Sequence, residues 1–587
     1  MTPSMHGFHG RYLRVDVGTG LSDFVTIPDR VSRRYLGGVG IGAWILHREA
    51  PVGVDPLAPE APLVFAFSPL VGTPLTTSAK FAVVAKSPLT GMISDALSSS
   101  HFAIAGKKLG IDALVVVGAA DSPSVLVNAE VKPADLAGAT PERCEEVLGS
   151  SGRVAAIGIA GENRVRYATI SNDGRHAGRG GLGAVMGAKN LKAVVVRGDR
   201  TTSLADPEAV VAAARDLSKR SFGPATAKYR ELGTVGNLLT FNRLAALPTR
   251  NFQSATFEGA EQLSAESLAP IREKARKSCA ACTIGCEHIY EGAGGQTARM
   301  EYENLFALGP LCGIGDPDVV IAASRRCDEL GLDTISAGGT IAFAMECGER
   351  GLLEGAPRFG DGDAVLALLD DIAHRRGLGD LLAEGSRRAA AEIGGGSIDF
   401  APQVKGLEIP GYEPRALQTM ALGFAVGTRG ADHNKSGAYE LDFSDRVYRL
   451  RGSEEAGRLA VEPEDRAALI DSLVLCKFLR GVFADLFDES AQMLRAVTGE
   501  DFTADELRQT ASRIVALKKA FNIREGWKPE DDTLPQRFLS EGLPEGASKG
   551  AVVPVERLQA MIRAYHRQRG WTEDGYLPDS VLEDLEL

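Results

Sequence analysis

Apolar runs of strand length, broken by glycine, proline, serine or aspartate, fill the first third of the chain. Leu63-Val64-Phe65-Ala66-Phe67, Phe81-Ala82-Val83-Val84-Ala85, Ala113-Leu114-Val115-Val116-Val117 and Ala193-Val194-Val195-Val196 are the clearest, and their length and β-branched content predict a sheet domain over residues 1–200. Beyond Thr201 the spacing turns helical. Pro207-Glu208-Ala209 opens one helix, and Asp316-Pro317-Asp318 opens another that runs to Leu330 and is stopped by Gly331, the position at which a left-handed glycine ends a helix. Asp333 then reads as the N-cap of the next helix. The segment Asp328 to Asp333 thus joins two helices and exposes the second N-terminus, a place that suits a polar ligand or is simply a capped junction. Farther on, Pro463-Glu464-Asp465 starts a helix whose apolar stripe includes Leu469, Ile470, Leu473 and Val474. It carries Asp471 to Cys476, a D-x-x-x-L-C that echoes the D-x-x-G-L-D of Asp328 to Asp333. The pattern predicts an α+β protein: a β-rich N-terminal sheet domain followed by two mainly α-helical domains, over 201–405 and 406–587.

Composition narrows the function classes. A chain of 587 residues is too long for one core, and 44 % hydrophobic with 24 % charged residues is ordinary for globular protein. No apolar run approaches the roughly 18 residues of a membrane span, and residues 1–20 lack the basic-then-apolar pattern of a secretory signal; the expectation is a cytoplasmic protein. A net charge of −12 disfavours nucleic acid or an anionic membrane as partner, since neither polyanion attracts an acidic surface.

The most specific chemistry lies in Cys279-Ala280-Ala281-Cys282-Thr283-Ile284-Gly285-Cys286. A C-x2-C-x3-C spacing brings three soft thiolates around one centre, as zinc or an iron–sulfur cluster requires. The fourth ligand is open between His288 and the other cysteines, Cys144, Cys312, Cys327, Cys347 and Cys476. A structural zinc with His288 is the plain alternative. The order is the reverse of a radical-SAM motif. Clustered cysteines in a long unsecreted chain favour metal ligation over disulfides.

Three glycine-rich loops interrupt the sheet region: Leu36 to Gly42, Ser68 to Pro74, and Gly178-Arg179-Gly180-Gly181-Leu182-Gly183. The last satisfies G-x-G-x-x-G. Only a short turn is expected before the next strand near Lys192, too little for a parallel crossover, so a nicotinamide site is not expected. Such glycines still allow a backbone to approach a bulky ligand.

Taken in order, C-x2-C-x3-C, Glu301-Tyr302-Glu303, Asp328-x-x-Gly331-Leu332-Asp333 and Asp471-x-x-x-Leu475-Cys476 resemble the aldehyde:ferredoxin oxidoreductase family of tungsten enzymes. Tyr35-Leu36-Gly37-Gly38, the Gly178 to Gly187 loop and Asp531-Asp532-Thr533-Leu534-Pro535 extend the resemblance over the whole chain. It implies tungsten, or less often molybdenum, held by two pyranopterins beside one [4Fe–4S] cluster. Cys279, Cys282, Cys286 and Cys476 are then the cluster ligands. Asp328, Gly331, Leu332 and Asp333 hold one pterin, Asp471 and Leu475 the other, and Lys80, Gly178, Arg179, Gly180 and Gly181 line the base of the site. Glu303 and His433 become the acid–base pair, with Glu301 as the competing carboxylate and Asp432 as a group that orients the histidine.

Two departures change the detail. Val474 stands where the second pterin segment usually has glycine, so a looser approach to that pterin is expected. Lys80 and Leu97 occupy the places of an arginine and an asparagine; lysine lacks the planar fork and leucine cannot ligate the family's magnesium, which is therefore doubtful. The expected reaction is oxidation of a small aldehyde by water, with ferredoxin or a ferredoxin-like subunit as electron acceptor. The alternatives are a related tungsten enzyme that reduces an aromatic acyl-coenzyme A, in which Cys312 would be a candidate metal ligand, and a zinc-stapled binding protein without chemistry.

Overall fold

The computed structural model describes residues 5–587. Its first part contains two six-stranded sheets. Strands β1 (Arg11–Asp16), β2 (Ser22–Thr26), β3 (Leu63–Ala66), β4 (Lys80–Lys86), β5 (Ile93–Ser99) and β6 (Ala113–Val117) form the first, in the order β2-β1-β6-β3-β4-β5. Only β1 and β6 run parallel. Strands β7 (Ser124–Val127), β8 (Glu130–Pro133), β9 (Arg153–Ala156), β10 (Ile170–Asn172), β11 (Arg175–Ala177) and β12 (Leu191–Val196) form the second, ordered β11-β10-β9-β12-β7-β8.

The uninterrupted apolar runs have a simple cause. Strands β3 and β6 are buried along their whole length, and a strand covered on both faces has no polar positions to alternate. Alternate residues still go to different cores. Val64, Ala66, Val84 and Val115 pack with Val39 and Trp44 of the helix Gly38–Glu49, whereas Leu63, Phe65, Val83, Leu114 and Val116 pack with Leu126 and Val194 of the second sheet. The first sheet is therefore sandwiched. Gly42 lets the helix sit close, since a Cβ there would stand 2.6 Å from Val84 Cγ2.

The remainder is mainly helical, broken by a two-stranded ribbon at residues 403–408 and by a larger sheet that the periodicity misses. Strands β13 (Glu273–Lys277), β14 (Glu287–Glu291) and β15 (Thr297–Met300) form a three-stranded antiparallel sheet within the region expected to be helical. The three clustered cysteines sit in the loop between β13 and β14. Strand β13 is mostly charged and exposed, and β14 alternates half-buried with buried side chains over only five residues, so neither carries the apolar run that marks a core strand. No helix is long and apolar enough to cross a membrane among the described residues.

The G-x-G-x-x-G loop also differs from expectation. Gly181, left-handed at φ 76°, is the N-cap of a helix over Leu182–Ala188 where only a short turn was expected. The flanking strands β11 and β12 are not neighbours in the sheet, so no dinucleotide-binding βαβ unit forms for that reason, not for want of a helix.

Candidate active site

Glu303 lies in the first turn of the helix Tyr302–Leu308. Gly338 fixes that helix by close approach: a Cβ there would meet the Ala307 carbonyl oxygen at 2.2 Å. Glu303 Oε2 accepts from Gly411 N at 3.0 Å, while Oε1 is buried without a hydrogen-bond partner. Opposite it, His433 Nδ1 is likewise buried and unpartnered, 3.6 Å from Glu303 Oε1. Asn434 Nδ2 lies 2.9 Å from His433 Nε2, and as donor there it leaves the ring proton on Nδ1, facing the glutamate. Tyr412 stacks on the imidazole at 4.6 Å and 24°.

Burial dominates the charges of this pair. It pushes the Glu303 carboxyl up to about 8, helped by Asp432 and Asp333 and opposed by the Gly411 N–H and Arg179. It pushes the His433 imidazole down to about 3, against the raising field of Asp432. Both groups are thus neutral near pH 7. Glu301 differs. It is the N-cap of the same helix, and its carboxylate pairs with Arg175 Nη1 at 3.1 Å; burial opposes its charge, but Arg299 and Arg175 hold its pKa below the usual range. Asp432 does not orient the His433 ring. It caps the short helix His433–Ser436 through Lys435 N at 2.9 Å and pairs with Arg429, so the orienting groups are Asn434 and Tyr412.

The pair opens into a cavity of about 280 Å³ lined by Phe241, Tyr302, Tyr412, Tyr439 and Phe443, with Lys228 and Arg480 among its polar groups. Cys312 is elsewhere. Its buried thiol points at the Ala307 and Gly338 carbonyls, at 3.4 and 3.6 Å, and burial raises it to about 12.

The cysteine loop and Cys476 are gripped by one threonine pair. Thr283 N donates to Thr76 Oγ1 at 3.0 Å, Thr77 N donates to the Ala281 oxygen at 2.6 Å, and Cys476 N donates to Thr77 Oγ1 at 3.1 Å. Burial and then the field of Cys476 raise the thiols of Cys282 and Cys286. The converse holds for Lys80: burial opposes its charge, but Cys476, Cys279 and Cys282 raise its pKa. Lys80 therefore belongs with the cysteines. His288 is fully buried on β14 with Nδ1 3.0 Å from Glu273 Oε2 and Nε2 3.3 Å from the Tyr229 oxygen, so both ring nitrogens are occupied. Among the described residues no three His, Cys, Asp or Glu side chains converge as a single-ion site.

The two helix junctions share a conformation. Gly331 ends the helix Pro317–Leu330 at φ 77°, ψ 44°, and Val474 ends the helix Val461–Leu473 at φ 54°, ψ 33°. Val474 thus keeps the left-handed turn in spite of its branched Cβ, at a cost of about 1–2 kcal/mol. Each junction packs on a glycine of the sheet domain. A Cβ on Gly158 would meet the Leu330 oxygen at 2.2 Å, and one on Gly38 would meet the Asp471 oxygen at 2.5 Å. Leu332 bridges to Ala168, while Leu475 is buried in a cluster with Leu36, Leu473 and Leu479.

The carboxylates of these junctions are held in distinct ways. Asp328 faces His176 Nε2 at 3.1 Å and lines a second cavity of about 230 Å³ with Arg299 and Arg325; burial opposes its ionisation, but His176 and Arg299 keep its pKa low. Asp333 caps the helix Thr334–Glu349 and accepts from Arg179 Nε at 3.2 Å. Asp471 pairs with Lys435 Nζ at 2.8 Å and Lys477 Nζ at 3.2 Å. Arg179 spends its other nitrogens on the Ala431 and Glu408 oxygens, at 2.8 and 2.6 Å. Of the loop glycines, Gly180 and Gly181 are required by Ser94 and the Arg166 oxygen, each 2.0 Å from a would-be Cβ, whereas a Cβ on Gly178 would meet nothing nearer than His176 Cβ at 3.9 Å. Leu97, on β5, packs against both sheet cores.

Comparison with known proteins identifies the family. The model of the aldehyde ferredoxin oxidoreductase N-terminal domain matches residues 12–198, and that of domains 2 and 3 matches residues 210–587. A tungsten-containing aldehyde ferredoxin oxidoreductase of Pyrococcus horikoshii is 38 % identical over 610 residues, covering 99 % of each chain. An aliphatic sulfonate oxidoreductase, WOR-like subunit, of Pyrococcus furiosus is 29 % identical, covering 99 % of this chain and 97 % of its own. The solved active-site complex BamBC of benzoyl coenzyme A reductase with 1,5-dienoyl-CoA superposes with a TM-score of 0.85 at 26 % identity, covering 99 % of this chain and 97 % of that one. The chain belongs to the aldehyde ferredoxin oxidoreductase family and is an oxidoreductase.

Proposed function

We propose that this chain oxidises an aldehyde with water to a carboxylic acid on a tungsten or molybdenum bis-pyranopterin, and passes the electrons singly through a [4Fe–4S] cluster to ferredoxin or a ferredoxin-like subunit. The observation that carries the reading is the facing pair of unpartnered atoms, Glu303 Oε1 and His433 Nδ1, at the floor of the aromatic cavity. Buried polar atoms without partners are costly and so mark where a substrate or water belongs.

One aldehyde and one water yield one carboxylic acid, two protons and two electrons. His433 Nδ1–H donates to the aldehyde oxygen and draws electron density from the carbonyl carbon. Glu303, once ionised, takes a proton from the attacking water. Closure by Phe241, Tyr302 and Tyr412 keeps other water away from the reacting carbon. When bound, the metal–dithiolene group supplies the two-electron acceptor.

The donor set fits both groups. Three cysteines of one loop, with Cys476 tied to that loop through Thr77, suit a soft metal centre, and Lys80 and Arg175 carry positive charge beside them; Cys279, Cys282, Cys286 and Cys476 would ligate the cluster. Asp328, Gly331, Leu332 and Asp333 would hold one pterin and Asp471 and Leu475 the other, with Gly178, Arg179, Gly180 and Gly181 shaping the loop around it. Asp328 borders a cavity, which leaves its carboxylate room to accept from pterin N–H groups. Nothing in the side chain of Leu97 supplies a ligand for magnesium.

A second reading, reduction of an aromatic acyl-coenzyme A, is favoured by the likeness to BamBC. Cys312 speaks against it as a metal ligand, being held in the core away from the cavity. Anaerobic assay of the metallated protein with a one-electron dye separates the two: aldehyde-dependent dye reduction supports oxidation, and dye-driven consumption of benzoyl-CoA without aldehyde turnover supports reduction.

A further inference from the structure

We infer that the cavity above Glu303 and His433 selects an aromatic aldehyde; this rests on the aldehyde-oxidising reading of the same site. The argument begins with the wall. Its apolar surface consists of aromatic rings, including Phe241, Tyr302, Tyr412, Tyr439, Phe443 and Phe478, and no aliphatic side chain lines it among the described residues. A cavity meant only to exclude water or to hold an alkyl chain would be served by leucine and valine, which bury area without orientation. Rings carry a negative face and a positive edge, so an aromatic ligand that meets them edge-to-face or offset gains affinity beyond its buried area.

The rings are arranged to present both kinds of surface. Phe241 is the hub, with its centroid 4.9 Å from Tyr302, 5.1 Å from Tyr412 and 5.4 Å from Phe443. It meets Tyr412 at 88° and Phe443 at 67°, so faces and edges alternate around it. Tyr439 follows at 5.1 Å from Tyr412. Phe241, Tyr302 and Tyr412 are almost fully buried, whereas Phe443 is 44 % exposed and stands at the solvent side.

The floor fixes the orientation of a ligand. In an aryl aldehyde the ring is bonded directly to the carbonyl carbon, so placing the oxygen at His433 Nδ1 leaves the ring among Tyr412, Tyr302 and Phe241. A saturated ring fills the same space but gives those faces and edges nothing to match. A volume of about 280 Å³ admits a single ring.

The test compares benzaldehyde with cyclohexanecarbaldehyde, equal in carbon count, using anaerobic holoenzyme and benzyl viologen as one-electron acceptor. Intrinsic reactivity is cancelled by repeating the ratio of kcat/KM in Phe241→Leu. The wild-type preference for benzaldehyde is expected to be about tenfold greater than that of the variant. A ratio unchanged by Phe241→Leu overturns the inference. Binding supplies a readout without chemistry: benzamide and cyclohexanecarboxamide, which cannot be oxidised, are titrated calorimetrically into the same holoenzyme. Tighter benzamide binding, lost in Phe241→Leu, supports the aromatic slot even if no aldehyde is turned over, in which case it is the reaction reading that falls. Equal binding of the two amides overturns the inference.

Discussion

Glu303 Oε1 lies 3.6 Å from His433 Nδ1, and neither atom has a hydrogen-bond partner. Two buried polar atoms left facing each other are prepared for a third group. A positioned base contributes about 10²–10⁴ in rate. Glu303→Gln should therefore keep its metals and lose turnover on that scale, whereas Glu301→Gln, in which a helix cap and an arginine partner are altered, should retain most activity once metallated. Parent-rate turnover by Glu303→Gln would assign the base elsewhere.

The same pair sets a pH dependence. Burial holds the Glu303 carboxyl near 8 and the His433 imidazole near 3. If ionised Glu303 is the base, kcat/KM rises with pH through a group near 8, and His433, neutral throughout, adds no limb between pH 5 and 8. The stability sign is opposite: the raised carboxyl favours the fold below its ordinary value near 4.5, and that contribution is lost as pH rises through about 8. A pH–rate profile whose limb near 8 persists in Glu303→Gln contradicts the assignment.

Cys476→Ala should lose or degrade the cluster, because Cys476 shares Thr77 with the cysteine loop. His288→Ala should keep its iron, since both ring nitrogens are already occupied. Iron analysis with low-temperature paramagnetic resonance reads both variants. Full iron in Cys476→Ala together with loss in His288→Ala would reverse the ligand assignment.

Asp328→Ala and Asp471→Ala should each lower pterin and tungsten content, and the double variant should lower it further; normal occupancy in the double variant would remove these residues from the pterin sites. Gly38→Ala tests the junction itself. With φ at +43° and the Asp471 oxygen 2.5 Å from the new Cβ, it should cost about 1–3 kcal/mol, read as a fall in thermal midpoint of the holoenzyme. An unchanged midpoint would mean the sheet domain can give way there.

Much of this was legible in the chain, and the misses have physical causes. Continuous apolar strands announce burial on both faces, so Leu63 to Ala66 and Ala113 to Val117 were readable as core strands. Pro317, Gly331 and Asp333 mark helix ends by conformation and capping, and each stands at that place. Strands β13 to β15 escaped because β13 is almost wholly charged and exposed, and the alternation in β14 and β15 spans only five and four residues, too few to stand out. The turn at Val474 was not readable because a side chain does not reveal φ; the junction imposes the left-handed conformation on a residue that disfavours it. Asn434 and Tyr412, which orient His433, could not be ranked from spacing: Tyr412 reaches the imidazole only through the fold.

The central claim is that an aldehyde delivers electrons through a tungsten or molybdenum pterin into a cysteine-bound cluster. The most direct measurement is metal analysis with paramagnetic resonance on anaerobically purified, oxidised protein, before and after stoichiometric benzaldehyde without any other acceptor. The account predicts about four iron and one tungsten or molybdenum per chain, with a reduced-cluster signal that grows on adding the aldehyde and fails to grow in Glu303→Gln. Zinc as the sole metal, or a fully metallated protein whose centres stay oxidised in the presence of aldehyde, would contradict it.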